Sequence, residues 1–177
     1  MEAFTDFLAW AWARHHNPLS WYIRPLFILP FCYFAYRRSV PGMLLTVLAL
    51  ATSMFWFPAP AVADPQIIAF LEAEREWLTT DWTLLKVLLS LTVPAFFILL
   101  AWAFWRRSWW VGLAIFNLAT AAKVIWSFWA GEASAWSLVP PALIGALAVN
   151  GAVILLARWL KRRREVNAAV PALPNRA

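Results

Sequence analysis

The chain has 177 residues, of which 63% are hydrophobic and 14% charged, and its mean hydropathy is +0.65. This composition excludes a soluble globular domain for most of the length, because too few polar residues remain to form a solvated shell. The net charge is +6, but the basic residues cluster in short breaks between apolar runs. The charge therefore indicates orientation in a membrane and no nucleic-acid partner.

The first seventeen residues precede the first long apolar run. Phe4, Leu8 and Trp12 recur at helical spacing before Asn17-Pro18, a dipeptide that ends helices. We expect residues 1–17 to form an interfacial helix on the outer leaflet. His15 and His16, the two histidines of the chain, are expected at its surface.

Five apolar runs are close to the roughly 20 residues that a transmembrane helix needs. They cover residues 19–36, 40–57, 83–105, 109–130 and 138–160. Residues 59–82, between the second and third runs, form an acidic outer loop in which Asp64-Pro65 predicts the start of a surface helix. Residues 161–177 form a basic tail that we expect to be largely disordered. The predicted fold is an all-α, polytopic transmembrane helix bundle of residues 18–160.

The breaks between the apolar runs alternate in charge. Arg37-Arg38, Arg106-Arg107 and the tail are basic, and placing them in the cytoplasm puts ten of the fifteen Lys and Arg residues inside and eight of the nine acidic residues outside. The positive-inside rule then predicts an amino terminus outside and a cytoplasmic carboxyl terminus. Short loops and this asymmetry suit a bacterial inner membrane.

The first two pairs of spans share a sequence pattern. A shift of 69 positions superposes Arg37-Arg38-Ser39 on Arg106-Arg107-Ser108, and a shift of 70 superposes Gly42 on Gly112. Because both hairpins would run in the same direction, the pattern predicts a parallel duplication followed by a fifth helix. Chance identity in an apolar composition is the alternative.

Three basic residues lie within the spans, all in the outer half. An ionisable group at the centre of a membrane helix costs roughly 2.5–3.5 kcal/mol, so it usually faces a partner or a cavity. On the fourth span, four polar residues fall within an arc of about 120°. The resulting candidates for binding an anionic ligand are Lys123, Asn117, Thr120, Ser127, Lys86 and Arg24.

Carboxylates in the loop above these cations are candidates for a gate or for counter-ions. They are Glu72, Glu76 and Asp81. The alternative is structural, because long basic side chains near helix ends reach the headgroups or pair with loop carboxylates without any ligand.

The fifth span carries small residues along one side, at Ala142, Gly145, Ala148 and Ala152. Such a face permits close helix packing, either inside this chain or against a second copy or another membrane protein. Membrane lipids are the other expected partners, and the basic tail would meet anionic lipid.

No metal site or cofactor is predicted. Cys32 is the single cysteine, and the side chains of His15 and His16 diverge by about 100° on a helix, so neither a four-ligand zinc site nor an axial haem pair is available. Phosphate-loop and nucleophile motifs are also absent from the sequence.

Three functions remain open. The first is a non-enzymatic protein that binds or moves an anionic or amphiphilic small molecule or lipid through an outward-facing polar pocket. The second is an accessory or assembly subunit of a larger membrane complex. The third is an enzyme that uses loop carboxylates with His16 at the outer surface.

Overall fold

The computed structural model describes residues 2–129 and 135–169, and these residues form helices joined by turns, as the predicted all-α fold requires. Three 3₁₀ turns, Arg24–Phe27, Ser53–Phe55 and Ala135–Leu138, lie between or beside the α-helices. The α-helices are α1 (Glu2–His15), α2 (Pro18–Ile23), α3 (Ile28–Tyr36), α4 (Val40–Thr52), α5 (Pro65–Thr79), α6 (Leu84–Trp105), α7 (Trp109–Trp129) and α8 (Val139–Ala169).

Three of the described helices are long and apolar enough to cross a membrane. They are α6, α7 and the Val139–Arg163 part of α8, and they coincide with the third, fourth and fifth predicted spans. Each has at least the roughly 20 residues that a bilayer core requires. These helices indicate a multi-pass integral membrane protein.

The first two predicted spans are shorter or broken helices. Residues 19–36 fall in α2, the Arg24–Phe27 turn and α3, because Pro25 lacks an N–H group and its ring crowds the preceding turn. The backbone stays in the right-handed helical region at Ile23, Arg24 and Phe27, so the segment remains helical throughout. The second segment, Val40–Phe55, is an apolar helix of less than spanning length.

The main core lies where α3, α6, α7 and α8 meet. Ala35, Leu100, Phe104 and Val149 are almost completely buried there, one or two from each helix except α7. Helix α7 contributes Leu113 and Phe116, which are also buried. Helix α4 also packs against α3, and its Met43 and Val47 are only partly buried against this core. Helix α3 is therefore the centre of the bundle.

The two Arg-Arg-Ser turns have the same backbone geometry. The Ser39 amide donates to the Phe34 carbonyl at 2.9 Å, and the Ser108 amide donates to the Ala103 carbonyl at 2.9 Å. The preceding residue in each turn is left-handed, with φ 56° at Arg38 and φ 59° at Arg107. This is the Schellman arrangement that satisfies the last carbonyls of a helix. Whether the two hairpins arose by duplication stays a prediction.

Helix α8 approaches the Arg24–Phe27 turn through Gly145. A Cβ atom at Gly145 would collide with the ring of Pro25, so one residue of the predicted small-residue face packs inside this chain. The helix then continues to Ala169. Residues 161–169, expected as part of a largely disordered tail, are thus helical, whereas residues 170–177 lie outside the described residues, as do residues 130–134 between the fourth and fifth predicted spans.

Candidate functional site

Helices α1, α2 and α5 pack together at one end of the bundle, which we call the outer cap after the side of the membrane predicted for it. Trp21, Ile67 and Leu71 form its buried centre, with Trp12 and Phe70 packed against them. Asp64 starts α5 by accepting a hydrogen bond from the Gln66 amide at 2.8 Å. The predicted helix start at Asp64-Pro65 is therefore present, and α5 is not an isolated surface helix.

Two polar side chains near the end of α1 hold it against the end of the second apolar segment. The Arg14 Nε donates to the Phe55 carbonyl at 2.9 Å, and the Asn17 Nδ2 donates to the Pro58 carbonyl at 2.9 Å. Both carbonyls come after the end of α4, so no backbone N–H group of a following helical turn is available to bond them. Helix α1 is thereby fixed in place relative to α2 and α4.

Three ionisable groups from three elements meet inside the outer cap. The Arg24 Nη2 lies 3.3 Å from the His15 Nδ1, and the His15 Nε2 lies 3.9 Å from the Glu74 Oε2. A guanidinium has donors only, so Nδ1 accepts and the imidazole proton resides on Nε2, facing Glu74. We refer to Arg24, His15 and Glu74 as the outer charge chain.

Histidine 15 is buried, with 4% of its surface exposed, although the sequence places it at the surface. Its burial against Trp12 and Trp21 has a tertiary cause, since α5 folds back over the end of α1. Burial is the main cause that lowers the pKa of His15 to about 4, and the charges of Arg24 and His16 lower it further. The imidazole is therefore neutral at neutral pH, and its contact with Glu74 is not then an ion pair.

The predicted counter-ions Glu72, Glu76 and Asp81 are all exposed. The carboxylate that is linked to a predicted cation is Glu74, which contacts His15, the neighbour of Arg24; sequence reasoning missed Glu74, which is half exposed. The missed signal was its spacing, because Glu74 lies three and seven residues after Leu71 and Ile67 on the face of α5 that packs into the outer cap.

The second predicted cation, Lys86, turns back onto the end of α5. Its Nζ donates to the carbonyl and to the Oγ1 of Thr80, both at 3.0 Å. The same ammonium lies over the rings of Trp77 at 5.1 Å and Trp82 at 5.3 Å. A cation at a helix carboxyl end, enclosed by two aromatic faces, is stabilised without any ligand. Lys86 therefore joins α5 to α6.

The polar stripe of α7 faces two different environments. Asn117 and Asn150 exchange amide hydrogen bonds of 2.8 and 2.9 Å, and each second amide hydrogen goes to a carbonyl of its own helix, Leu113 or Ala146. This pair joins α7 to α8 and leaves no free amide donor. Sequence reasoning missed Asn150, although it is a single amide inside an apolar span, as Asn117 is.

The other residues of the stripe follow Asn117 toward the carboxyl end of α7. Thr120 donates to the Phe116 carbonyl at 2.9 Å, and Ser127 is buried. Lys123 is exposed, and in the described part of the chain its ammonium has neither an ion pair nor a hydrogen bond. Trp126 and Trp129 follow one and two turns further on, and their ring centroids lie 5.2 Å apart with the ring planes tilted by 50°.

The predicted cations thus occupy separate environments: Arg24 the outer charge chain, Lys86 the end of α5, and Lys123 the exposed side of α7. A cleft of about 110 Å³ at the outer cap is lined by Pro18, Trp21, Tyr22, Asp64, Ile67 and Pro141 and contains none of them. Among the described residues, no group of three or more His, Cys, Asp and Glu side chains could hold a metal ion.

No known family model matches this chain, and neither a curated protein nor a solved structure matches it. Its function has to be inferred from its own residues.

Proposed function

We propose that this chain is a small, non-enzymatic membrane protein that binds an anionic amphiphile in the outer half of the membrane through Lys123. One observation carries the proposal. Of the three cations predicted within the spans, Arg24 and Lys86 have partners inside the described chain, and Lys123 does not. An unpaired ammonium at this depth in a membrane is costly, so an anion from outside the described chain would stabilise it.

The surroundings of Lys123 fit an amphiphile better than a small soluble anion. Lys123 lies six residues before the end of α7, about 9 Å from it along the helix axis. Trp126 and Trp129 provide aromatic surface between the ammonium and that end, which is where amphipathic rings meet lipid headgroups. Lys123 and Trp126 are both exposed and lie about 60° apart around the helix, so one amphiphile can contact the ammonium and the ring.

The proposal includes five crossings, with the amino terminus outside and the carboxyl terminus in the cytoplasm of a bacterial inner membrane. The helical path from Pro18 to Tyr36 is about 30 Å long, which is the thickness of a hydrocarbon core. The Val40–Phe55 path is about 25 Å long, and local thinning of the bilayer accommodates such a difference. These lengths support two crossings in addition to α6, α7 and α8.

A second candidate function, an accessory subunit of a larger complex, is favoured by the outer half of α6. A helix inside a bundle normally exposes one side only. Here five apolar side chains that point in several directions are each more than half exposed. They are Leu84, Leu85, Leu88, Leu91 and Val93. This half-helix has surface for a protein partner as well as for lipid.

Photo-crosslinking with an anionic lipid tests the first candidate. In vesicles that contain a photoreactive phosphatidylglycerol, we expect lipid adducts on the α7 peptide around Lys123. Lys123→Met keeps an unbranched side chain of similar length and removes its charge. A hydrogen bond to a charged group contributes about 1.5–3 kcal/mol. The adduct yield on α7 should therefore fall roughly tenfold or more at limiting lipid.

The matched control is Lys161→Met, which removes the same charge from an exposed position on α8. It should leave the α7 adducts unchanged. Equal α7 yields in Lys123→Met and the parent protein would remove the main support for the proposal. A stoichiometric membrane protein that co-purifies in mild detergent, together with such equal yields, would favour the accessory-subunit candidate.

A further inference from the structure

We propose that the two Arg-Arg-Ser turns together form a binding surface for the headgroup of an anionic phospholipid. The surface consists of Arg37, Arg38, Arg106 and Arg107, and we call it the arginine face. It lies at the end of the bundle opposite to Lys123 on α7, so the inference is independent of the proposed function.

The two turns are brought together by aromatic contacts. The guanidinium of Arg107, in the second turn, lies 5.2 Å from the ring centroid of Tyr36, at the end of α3. The Tyr36 ring lies 4.9 Å from the ring of Trp109, at the start of α7. The arginines of the two hairpins therefore belong to one continuous surface.

All four guanidiniums are exposed. In the part of the chain that the structure describes, no carboxylate forms an ion pair with any of them. Several like charges on one surface without acidic neighbours produce a positive potential that attracts anions. Guanidiniums also match the geometry of phosphate oxygens, to which they donate two parallel hydrogen bonds.

The backbone of both turns would favour another residue. Arg38 and Arg107 are left-handed, a conformation that costs any residue with a Cβ atom more than it costs glycine. Helices with this ending usually place glycine there. Both turns nevertheless carry arginine at this position, so backbone conformation does not explain the choice of residue. Arginine differs from glycine by its basic side chain, which is the property that an anion would use.

The surroundings indicate a lipid headgroup in preference to a soluble anion. Trp110 is 74% exposed beside the second turn, and Trp102, which lies under the Arg106 guanidinium, is about half exposed. Trp side chains next to basic residues at the end of membrane helices are typical of the headgroup level. The basic end of α8 lies at a similar depth to this surface. The Asn117–Asn150 pair joins α7 to α8 at one depth, and from it Trp109 on α7 and Arg158 on α8 are each eight residues away.

The substitutions Arg38→Gly and Arg107→Gly separate the charge from the backbone. Glycine suits the left-handed turn, which offsets the loss of the exposed Arg107–Tyr36 contact, so the double variant should melt close to the parent protein in neutral detergent. Its affinity for phosphatidylglycerol, measured by counting bound lipids in native mass spectrometry, should fall at least tenfold. Affinity for phosphatidylcholine should stay the same in both proteins.

The control is Arg75→Gln, an exposed arginine of α5 at the outer cap; it should bind phosphatidylglycerol like the parent. If the glycine double variant melts well below the parent, Arg38→Asn with Arg107→Asn replaces it, because asparagine also tolerates left-handed backbone. A folded double variant whose phosphatidylglycerol affinity stays within twofold of the parent would overturn the inference.

Discussion

At the scale of single residues, His15 sets the properties of the outer cap. It accepts from a permanent cation through Nδ1 and directs its Nε2 hydrogen toward a carboxylate, so a neutral imidazole lies between two opposite charges. The arrangement depends on a neutral imidazole, because a second cation beside Arg24 would be repelled. The outer cap should therefore respond to acid.

The stability of the protein should fall as the pH drops below 6.5. The pKa of His15 is about 4 in the folded state and 6.5 in the unfolded state, so the unfolded state binds more protons between pH 4 and pH 6.5. The stabilisation is complete above pH 6.5 and is lost progressively toward pH 4, up to roughly 3 kcal/mol. Thermal unfolding in detergent from pH 4.5 to 7.5 measures this slope.

His15→Asn should flatten this pH dependence, because the asparagine Oδ1 can still accept from Arg24 and does not titrate in this range. The matched control is His16→Asn at the neighbouring, less buried histidine, which bonds to the Trp12 carbonyl at 2.8 Å. That variant should keep most of the parent slope, because His16 contributes less to the lowered pKa of His15 than burial and Arg24 do. The same slope in His15→Asn and the parent would show that another group is responsible.

At the scale of helices, the sequence predicted α6, α7 and α8 well because each is a continuous apolar run. It predicted the first two segments less well. The first apolar run contains Pro25 and Pro30, but hydropathy does not indicate whether a proline only bends a helix or converts one of its turns into a 3₁₀ turn. That outcome depends on packing, and here the Arg24–Phe27 turn packs against α8 at Gly145.

Gly145→Ala should destabilise the bundle. The added Cβ would meet the Cβ and Cγ of Pro25, which are fixed to the backbone and cannot rotate away. Overpacking of this kind typically costs about 1–3 kcal/mol. Gly151→Ala is the matched control on the same helix, because no atom lies within 4 Å of its added Cβ.

The control variant should be as stable as the parent or more so, since alanine is favoured over glycine inside a helix by roughly 0.5–1 kcal/mol. Thermal unfolding of the three proteins under one condition gives the comparison. If Gly145→Ala and Gly151→Ala melt at the same temperature, α8 does not approach Pro25 as closely as described.

At the scale of the whole molecule, sequence reasoning could identify polar residues in apolar runs but not their partners. Arg24 and His15 are nine residues apart, yet Glu74 is fifty residues further along the chain, and nothing in the periodicity of α5 shows that it folds back over α1. Asn117 and Asn150 meet for a similar reason, across two helices. Such pairings arise from tertiary packing.

The number of crossings can be tested with single cysteines in a Cys32→Ala background. Ala59, Val40 and Arg162 are each exposed, in the outer loop, at the first basic turn and near the end of α8. With five crossings, an impermeant thiol reagent should label Ala59→Cys in intact cells. It should label Val40→Cys and Arg162→Cys only after permeabilisation, because the basic residues beside both positions stay in the cytoplasm.

If only α6, α7 and α8 cross, Arg162→Cys stays cytoplasmic, but Val40→Cys is either labelled from outside or remains protected by lipid. Val40 therefore distinguishes three crossings from five, and labelling of Ala59 and Arg162 from the same side would contradict both.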